Sequence, residues 1–134
     1  MSSAAPRLAR LFTPTYARMI NAQIVHPAVS QLVKRNELQS ALARPLHVAM
    51  YEPHKPASYL AASLSYGMIK GHPFLDGNKR TAFFLANEYL RAQGKPGLAD
   101  SGEVNKDLTA VADRYIRVAS GEIDVDGLEE GPRR

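Results

Sequence analysis

The chain contains no cysteine and no tryptophan. Without thiols there is no disulfide framework, no Cys-ligated metal and no thiol nucleophile. Acidic residues are missing from the first 36 positions, which hold Arg7, Arg10, Arg18, Lys34 and Arg35; the first acid is Glu37. Long hydrophobic runs are missing as well. The best, over residues 59–69 and 81–90, fall well short of the ~20 residues that span a bilayer. No alternating apolar–polar pattern of strand type has any length, and there are no internal repeats or low-complexity segments. Disulfide scaffolds, zinc fingers, membrane spans and all-β folds are thereby excluded.

What remains is a chain of 134 residues, 45% hydrophobic and 22% charged, which suits one folded domain with a single core. Its net charge of +4 is uneven, with Glu122, Asp124, Asp126, Glu129 and Glu130 gathered near the end. A basic first half can meet nucleic acid or an acidic protein. The basic residues are not interleaved with aromatics as a single-strand groove requires, so a solvated surface is expected and nucleic acid is not. Residues 1–10 lack the apolar core of a secretory signal and read as a flexible tail. A cytoplasmic protein without membrane attachment is expected.

Helical spacing dominates the rest. Thr13 can cap a helix that starts at Pro14, with Tyr16, Met19, Ile20 and Ile24 on its apolar face. His26-Pro27 ends it, and residues 28–32 leave room for a short turn. Asn36 suits the cap of a short helix bearing Leu38, Ala41 and Leu42, which Arg44-Pro45 closes. Residues 46–56 carry Pro53 and Pro56 and read as a loop holding His47, Tyr51, Glu52, His54 and Lys55. Ser58 can cap a helix over residues 59–70 that is apolar or small on nearly all sides, hence buried, with Gly71 as its stop. Residues 78–93 form a second such helix, ended by Gly94. Ser101 can cap a fifth helix bearing Val104, Leu108, Val111, Tyr115 and Ile116, and Asp124 a last short one; residues 131–134 are tail. The pattern predicts an all-α single domain in which helices 58–70 and 78–93 form the core pair.

Between that pair lies His72-Pro73-Phe74-Leu75-Asp76-Gly77-Asn78-Lys79-Arg80. A helix starting near Asn78 offers unpaired N–H groups and a positive dipole end. Gly77 lets an anion come close. Asn78 adds an amide, and Lys79 and Arg80 add cations, the guanidinium able to grip a phosphate through two bonds. Asp76 is a hard oxygen donor suited to Mg²⁺, and an imidazole such as His72 can accept a hydroxyl proton. Taken singly, a His after a helix is a loop residue and Asp-Gly-Asn a turn with a helix cap. Their convergence in one loop points to transfer of a phosphate-containing group from a nucleotide to a hydroxyl.

These nine residues resemble the signature of the Fic/Doc (Fido) family, His-x-Phe-x-(Asp/Glu/Asn)-(Gly/Ala)-Asn-(Gly/Lys)-Arg, at every defined position. The surrounding sequence over residues 38–45, 61–70 and 83–94 is similar to the death-on-curing (Doc-like) branch, and the likeness spans residues 11–130. The resemblance implies an all-α Fido fold with the active loop between two central buried helices. It implies that His72 is the general base, that Asp76 binds Mg²⁺, and that Gly77, Asn78, Lys79 and Arg80 hold the phosphates of ATP. It also implies that residues 46–56, with His47, Tyr51 and Glu52, form the flap that docks the target protein.

Lys79 selects between chemistries within the family. AMP-transferring Fic enzymes carry a second Gly there and a further Arg soon after; this chain has Lys79 and no Arg near 83. The likeness therefore implies a Doc-like phosphotransferase that moves the γ-phosphate of ATP to a target Ser/Thr hydroxyl, with a translation factor as the known type of target and a toxin–antitoxin pairing in trans as the family expectation. Protein AMPylation of a Ser/Thr/Tyr hydroxyl is the alternative, which Asp76-Gly77 also suits. A non-catalytic nucleotide-binding module is a third. The inhibitory pattern (Ser/Thr)-x-x-x-Glu-(Gly/Asn) is absent: the only Glu before a Gly or Asn is Glu130, and Asp126 stands four residues ahead of it.

Overall fold

In the computed structural model the described residues are 4–94, and they form five helices and no strand. The helices expected around residues 104–119 and 125–130 lie outside them. Helix α1 (Ala5–Ala9) stands where a tail is expected. Ala5 and Leu8 are buried one turn apart, Phe12 follows at the same spacing, and burial of this stripe orders the segment.

Helix α2 (Pro14–Val25) begins as the sequence predicts. Thr13 Oγ1 accepts from the Tyr16 amide at 3.1 Å, and Pro14 takes the first helical position. Its buried stripe is Ala17, Ile20, Asn21 and Val25, one step out of phase with the expected face, so Met19 stays exposed. The chain leaves this helix at His26, and residues 28–32 form no helix.

Helix α3 (Arg35–Tyr51) departs most from expectation. It runs through Pro45 instead of stopping there, and the loop over residues 46–56 shrinks to 52–56. A proline inside a helix costs about 3 kcal/mol. Pro45 is itself buried on the stripe Leu38, Ala41, Leu42, Pro45, whose one-turn spacing continues past it into the partly buried Val48 and Ala49. Core burial along that stripe outweighs the lost backbone bond. The helix starts at Arg35 and not after an Asn36 cap, because the backbone ahead of it is held elsewhere: Val33 N–H and Lys34 N–H both donate to Pro73 O, at 2.8 and 3.0 Å.

Helix α4 (Ala57–Gly71) is the central element. Leu60 to Ser65, Met68 and Ile69 are all buried, and Pro56, not Ser58, occupies its N-cap. It packs antiparallel on α3, with Glu37 beside Gly71, Ala41 beside Gly67 and the Arg44 guanidinium 5.4 Å from the Tyr66 ring centroid. At Gly67 a Cβ would meet the Ala41 Cα and Cβ at 3.0 Å, so this contact sets how closely the two helices approach. Helix α5 (Asn78–Ala92) packs on the other side, tied to α4 by Ser65 Oγ donating to Ala82 O at 2.7 Å. It is two-faced, not apolar all round. Asn78, Thr81, Ala82, Leu85, Ala86, Tyr89 and Leu90 are buried, whereas Lys79, Arg80, Phe84 and Arg91 face out. Phe12 joins α1 to this core, meeting Tyr16 edge-on and Tyr89 at ring distances of 5.4 and 5.2 Å.

Candidate active site

The chain turns out of α4 at His72, not at Gly71. Gly71 is the last helical residue, and His72 takes the left-handed conformation, φ 53° and ψ 53°, its N–H donating to Met68 O at 3.1 Å. It is the one non-glycine residue with positive φ among those described. Histidine enters this region more readily than most side chains, at a cost of about 1 kcal/mol or more. The sharp turn leaves the imidazole exposed while Pro73 and Phe74 drop into the core.

Three sets of bonds fix the loop that follows. Asn78 closes it from within: its Oδ1 accepts from Phe74 N–H at 3.0 Å and its Nδ2 donates to Phe74 O at 2.7 Å. This side chain is 4% exposed, so both its amide groups serve the loop, and what Asn78 can offer a phosphate is its backbone N–H. Residues 31–34 flank the loop. Leu75 N–H donates to Gln31 O at 2.9 Å, and Leu32 and Phe74 form an isolated antiparallel bridge. The third set comes from α2. Asn21 Nδ2 donates to Asp76 O at 2.9 Å, and Arg80 Nη1 donates to Ile24 O at 3.2 Å.

Gly77 is fixed by conformation and space together. Its φ is +78°, and an added Cβ would meet Val25 Cγ1 at 2.8 Å and Asn21 Nδ2 at 3.1 Å. The absent side chain thus lets α2 lie against the loop; anion access is not the main reason for glycine here. The Gly77 N–H donates to Asp76 Oδ1 at 2.8 Å.

His72, Asp76, Gly77, Asn78, Lys79 and Arg80 line one open concavity of about 290 Å³, together with Leu75. The residues expected to act as base, metal ligand and phosphate cradle are therefore brought together, while Phe74 of the signature lies in the core. As the first three residues of α5, Asn78, Lys79 and Arg80 have N–H groups without an intrahelical carbonyl. The Lys79 and Arg80 side chains are exposed at that positive helix end. Asp76 has one carboxylate oxygen accepting from Gly77; its other oxygen has no partner among the described residues. The donors fit a polyphosphate, and the free carboxylate oxygen fits a Mg²⁺ carried with it. No group of three or more metal-ligating side chains exists among the described residues, so any cation here takes most of its ligands from phosphate and water.

The expected flap residues are not brought to the site. His47 and Tyr51 belong to α3 and Glu52 follows it, at the end of the α3–α4 pair opposite His72. The 15-residue α4 separates the two ends by about 22 Å at 1.5 Å per residue. His47 and Tyr51 are exposed there, and Glu52 forms a surface pair with Lys55 at 3.8 Å. Residues 31–34 flank the signature loop instead.

Asn21, Ser30 and Thr81 escaped the sequence reading. Only Asn21 carries a signal in the sequence: it lies four residues from both Ala17 and Val25 on an apolar stripe, and a polar side chain there needs partners.

No helix among the described residues is long and apolar enough to cross a membrane. No curated protein matches the chain. The sequence model of the Fic/DOC family matches residues 11–90, which covers more than half the chain and ends within α5. The left-handed His72, the clamped loop and the cationic start of α5 all lie inside that match, and the chain belongs to the Fic/DOC family.

Proposed function

We propose that this protein transfers the γ-phosphate of ATP to a Ser/Thr hydroxyl of a target protein, as in the death-on-curing branch. The observation that carries this reading is Lys79. It lies exposed in the first turn of α5, next to Arg80, on the rim of the concavity that His72 and Asp76 share. A long cation there adds charge for a terminal phosphate and fills space that a nucleotide lying the other way round would use.

In this mechanism the α5 N–H groups and the Arg80 guanidinium grip phosphate oxygens. The bond from Arg80 Nη1 to Ile24 O leaves the rest of the guanidinium for the substrate. Asp76 would hold Mg²⁺, which neutralises charge on the phosphates. The target hydroxyl oxygen attacks the γ-phosphorus while its proton passes to His72. The bond from phosphorus to the β–γ bridging oxygen breaks, and ADP leaves. In this reading the target segment docks along residues 31–34, whose backbone is bonded to Pro73 and Leu75 on either side of Phe74. An antitoxin chain acting in trans is the family expectation for such a phosphotransferase, and a free-standing enzyme that is no toxin is the alternative.

Asp76-Gly77 equally suits AMP transfer, in which the hydroxyl attacks the α-phosphorus and pyrophosphate leaves. ATP labelled at either phosphate separates the two in a lysate assay. Label from the γ position alone on a protein band supports phosphotransfer. Label from the α position overturns it in favour of AMPylation, and binding of ATP with no transfer from either position leaves a nucleotide-binding module.

A further inference from the structure

We propose that Asn21 is a positioning residue for the reaction at residues 72–80, acting through the Asp76–Gly77 peptide and not by touching the substrate. The inference rests on the function proposed above. It comes from a residue on another helix, more than fifty positions away in sequence.

Asn21 is fully buried, yet its carboxamide is used on both sides. Nδ2 donates to Asp76 O at 2.9 Å and to Thr81 Oγ1 at 3.1 Å; Oδ1 accepts from Ser30 Oγ at 2.6 Å. The two Nδ2 hydrogens supply both donations. One side chain thus joins α2, the flanking segment, the loop and α5.

The bond to Asp76 O has the most direct consequence. It fixes the peptide plane between Asp76 and Gly77, and with it the left-handed Gly77 and the Gly77 N–H that holds Asp76 Oδ1. The orientation of the remaining carboxylate oxygen follows. Thr81, one turn into α5, ties the start of that helix to the same amide. Packing alone does not require this chemistry. Leucine has the same branched arrangement of heavy atoms, is somewhat larger, and would continue the apolar stripe of Ala17, Ile20 and Val25. What the amide adds is the set of bonds to the loop. Ser30 steadies Asn21 from the flanking segment, so that segment is coupled to Asp76 through a single buried group.

The test compares the intact protein with Asn21→Leu and with Ser30→Ala, which removes only the outermost bond and leaves the core filled. The first readout is amide hydrogen exchange at Gly77 and Leu75, and it needs no activity. In Asn21→Leu, exchange at Gly77 should rise about tenfold relative to the α4 amides, which corresponds to one or two ordinary buried hydrogen bonds. Ser30→Ala should raise it about two- to threefold. The second readout is the Mg²⁺ concentration giving half-maximal transfer, which should rise several-fold in Asn21→Leu. Partial unfolding lowers the active fraction without moving that midpoint.

Equal changes at Gly77 and in α4, or no change at Gly77 in either variant, overturn the proposal. So does an unshifted Mg²⁺ midpoint in a variant that still transfers. If the unaltered protein transfers nothing from ATP, the proposed function fails, while the exchange comparison still decides whether Asn21 positions the loop.

Discussion

The two ends of helix α4 carry similar side chains and put them to different use. At its start stand His47, His54, Glu52 and Lys55; at its end stand His72, Asp76, Lys79 and Arg80. At the start, the polar groups stay at the surface: Lys55 pairs with Glu52 at 3.8 Å and lies 4.3 Å from the Tyr59 ring centroid. Exposed pairs of this kind contribute about 0–1 kcal/mol. At the end, buried carboxamides hold the backbone from which the polar groups project, Asn78 through Phe74 and Asn21 through Asp76. An imidazole, a carboxylate and a cation do not make a site by proximity in sequence. A site needs a backbone that cannot relax around them.

The largest expected contrast lies in catalysis. His72→Ala should lower phosphotransfer by about 10²–10⁴-fold, the usual contribution of a positioned base. His47→Ala and His54→Ala should leave it within about twofold. The measurement is label transfer from ATP with each variant at equal folded concentration. Comparable losses at both ends would abolish the distinction drawn here, and full activity in His72→Ala would remove its role as base.

In stability the contrast should persist at smaller size. Gly77→Ala places a Cβ 2.8 Å from Val25 Cγ1 at φ +78° and should destabilise by about 3 kcal/mol, combining strain with overpacking. Asn78→Ala leaves the amide and carbonyl of the fully buried Phe74 without partners and should cost about 2–4 kcal/mol. Glu52→Ala at the other end should fall within about 0.5 kcal/mol. Urea unfolding of the three variants gives the comparison directly. A loss at Glu52 as large as that at Asn78 would mean that the exposed pair is stronger than its geometry indicates.

That contrast also explains what the sequence made legible. The signature loop and its flanking helices could be read because motif and periodicity coincide there: the α5 stripe Asn78, Thr81, Ala82, Leu85, Ala86 and Tyr89 is continuous from the signature onward. Pro45 concealed the far end. A local rule, that proline stops a helix, gave way to a stripe whose spacing runs across it, and the expected flap vanished into α3. Helix α1 was hidden because five residues have too few turns to show a period. The loop's clamps were the least visible. Asn21 shows in the sequence only as a polar residue on an apolar stripe, and Ser30 not at all; their partners are contacts that only the folded chain creates.

A subtler contrast concerns backbone strain, which the active end has and the other lacks. His72→Gly should be more stable than His72→Ala by about 1 kcal/mol, because glycine adopts φ 53° without a Cβ penalty. This exceeds its greater entropy in the unfolded chain. In thermal melts the difference amounts to about 3–5 °C. Both variants should be equally inactive, so stability and catalysis separate at one position. Equal melting temperatures would show that the turn out of α4 stores no strain at His72.

The smallest effect tests whether satisfied polar atoms are what sets the loop apart from the rest of the core. Tyr89 is buried in α5, and its hydroxyl has no partner among the described residues, unlike those of Ser30 and Thr81 around Asn21. Burial pushes its pKa from 10.0 up to about 12. The neutral phenol is thus the form the fold prefers. Below pH 10 it is neutral whether the chain is folded or not, and the shift costs no stability. Between pH 10 and 12 the unfolded chain releases this proton first, so the folded state loses stability as pH rises. Tyr89→Phe should match or exceed the unaltered protein by up to about 1 kcal/mol at neutral pH, since it deletes a group with no bond among the described residues. Its advantage should then widen above pH 10, in urea titrations run in parallel so that lysine ionisation cancels. Parallel curves up to pH 12 would mean that the hydroxyl titrates alike in both states. A loss at neutral pH would mean that it is bonded after all, and that polar satisfaction extends through the core instead of marking the active end.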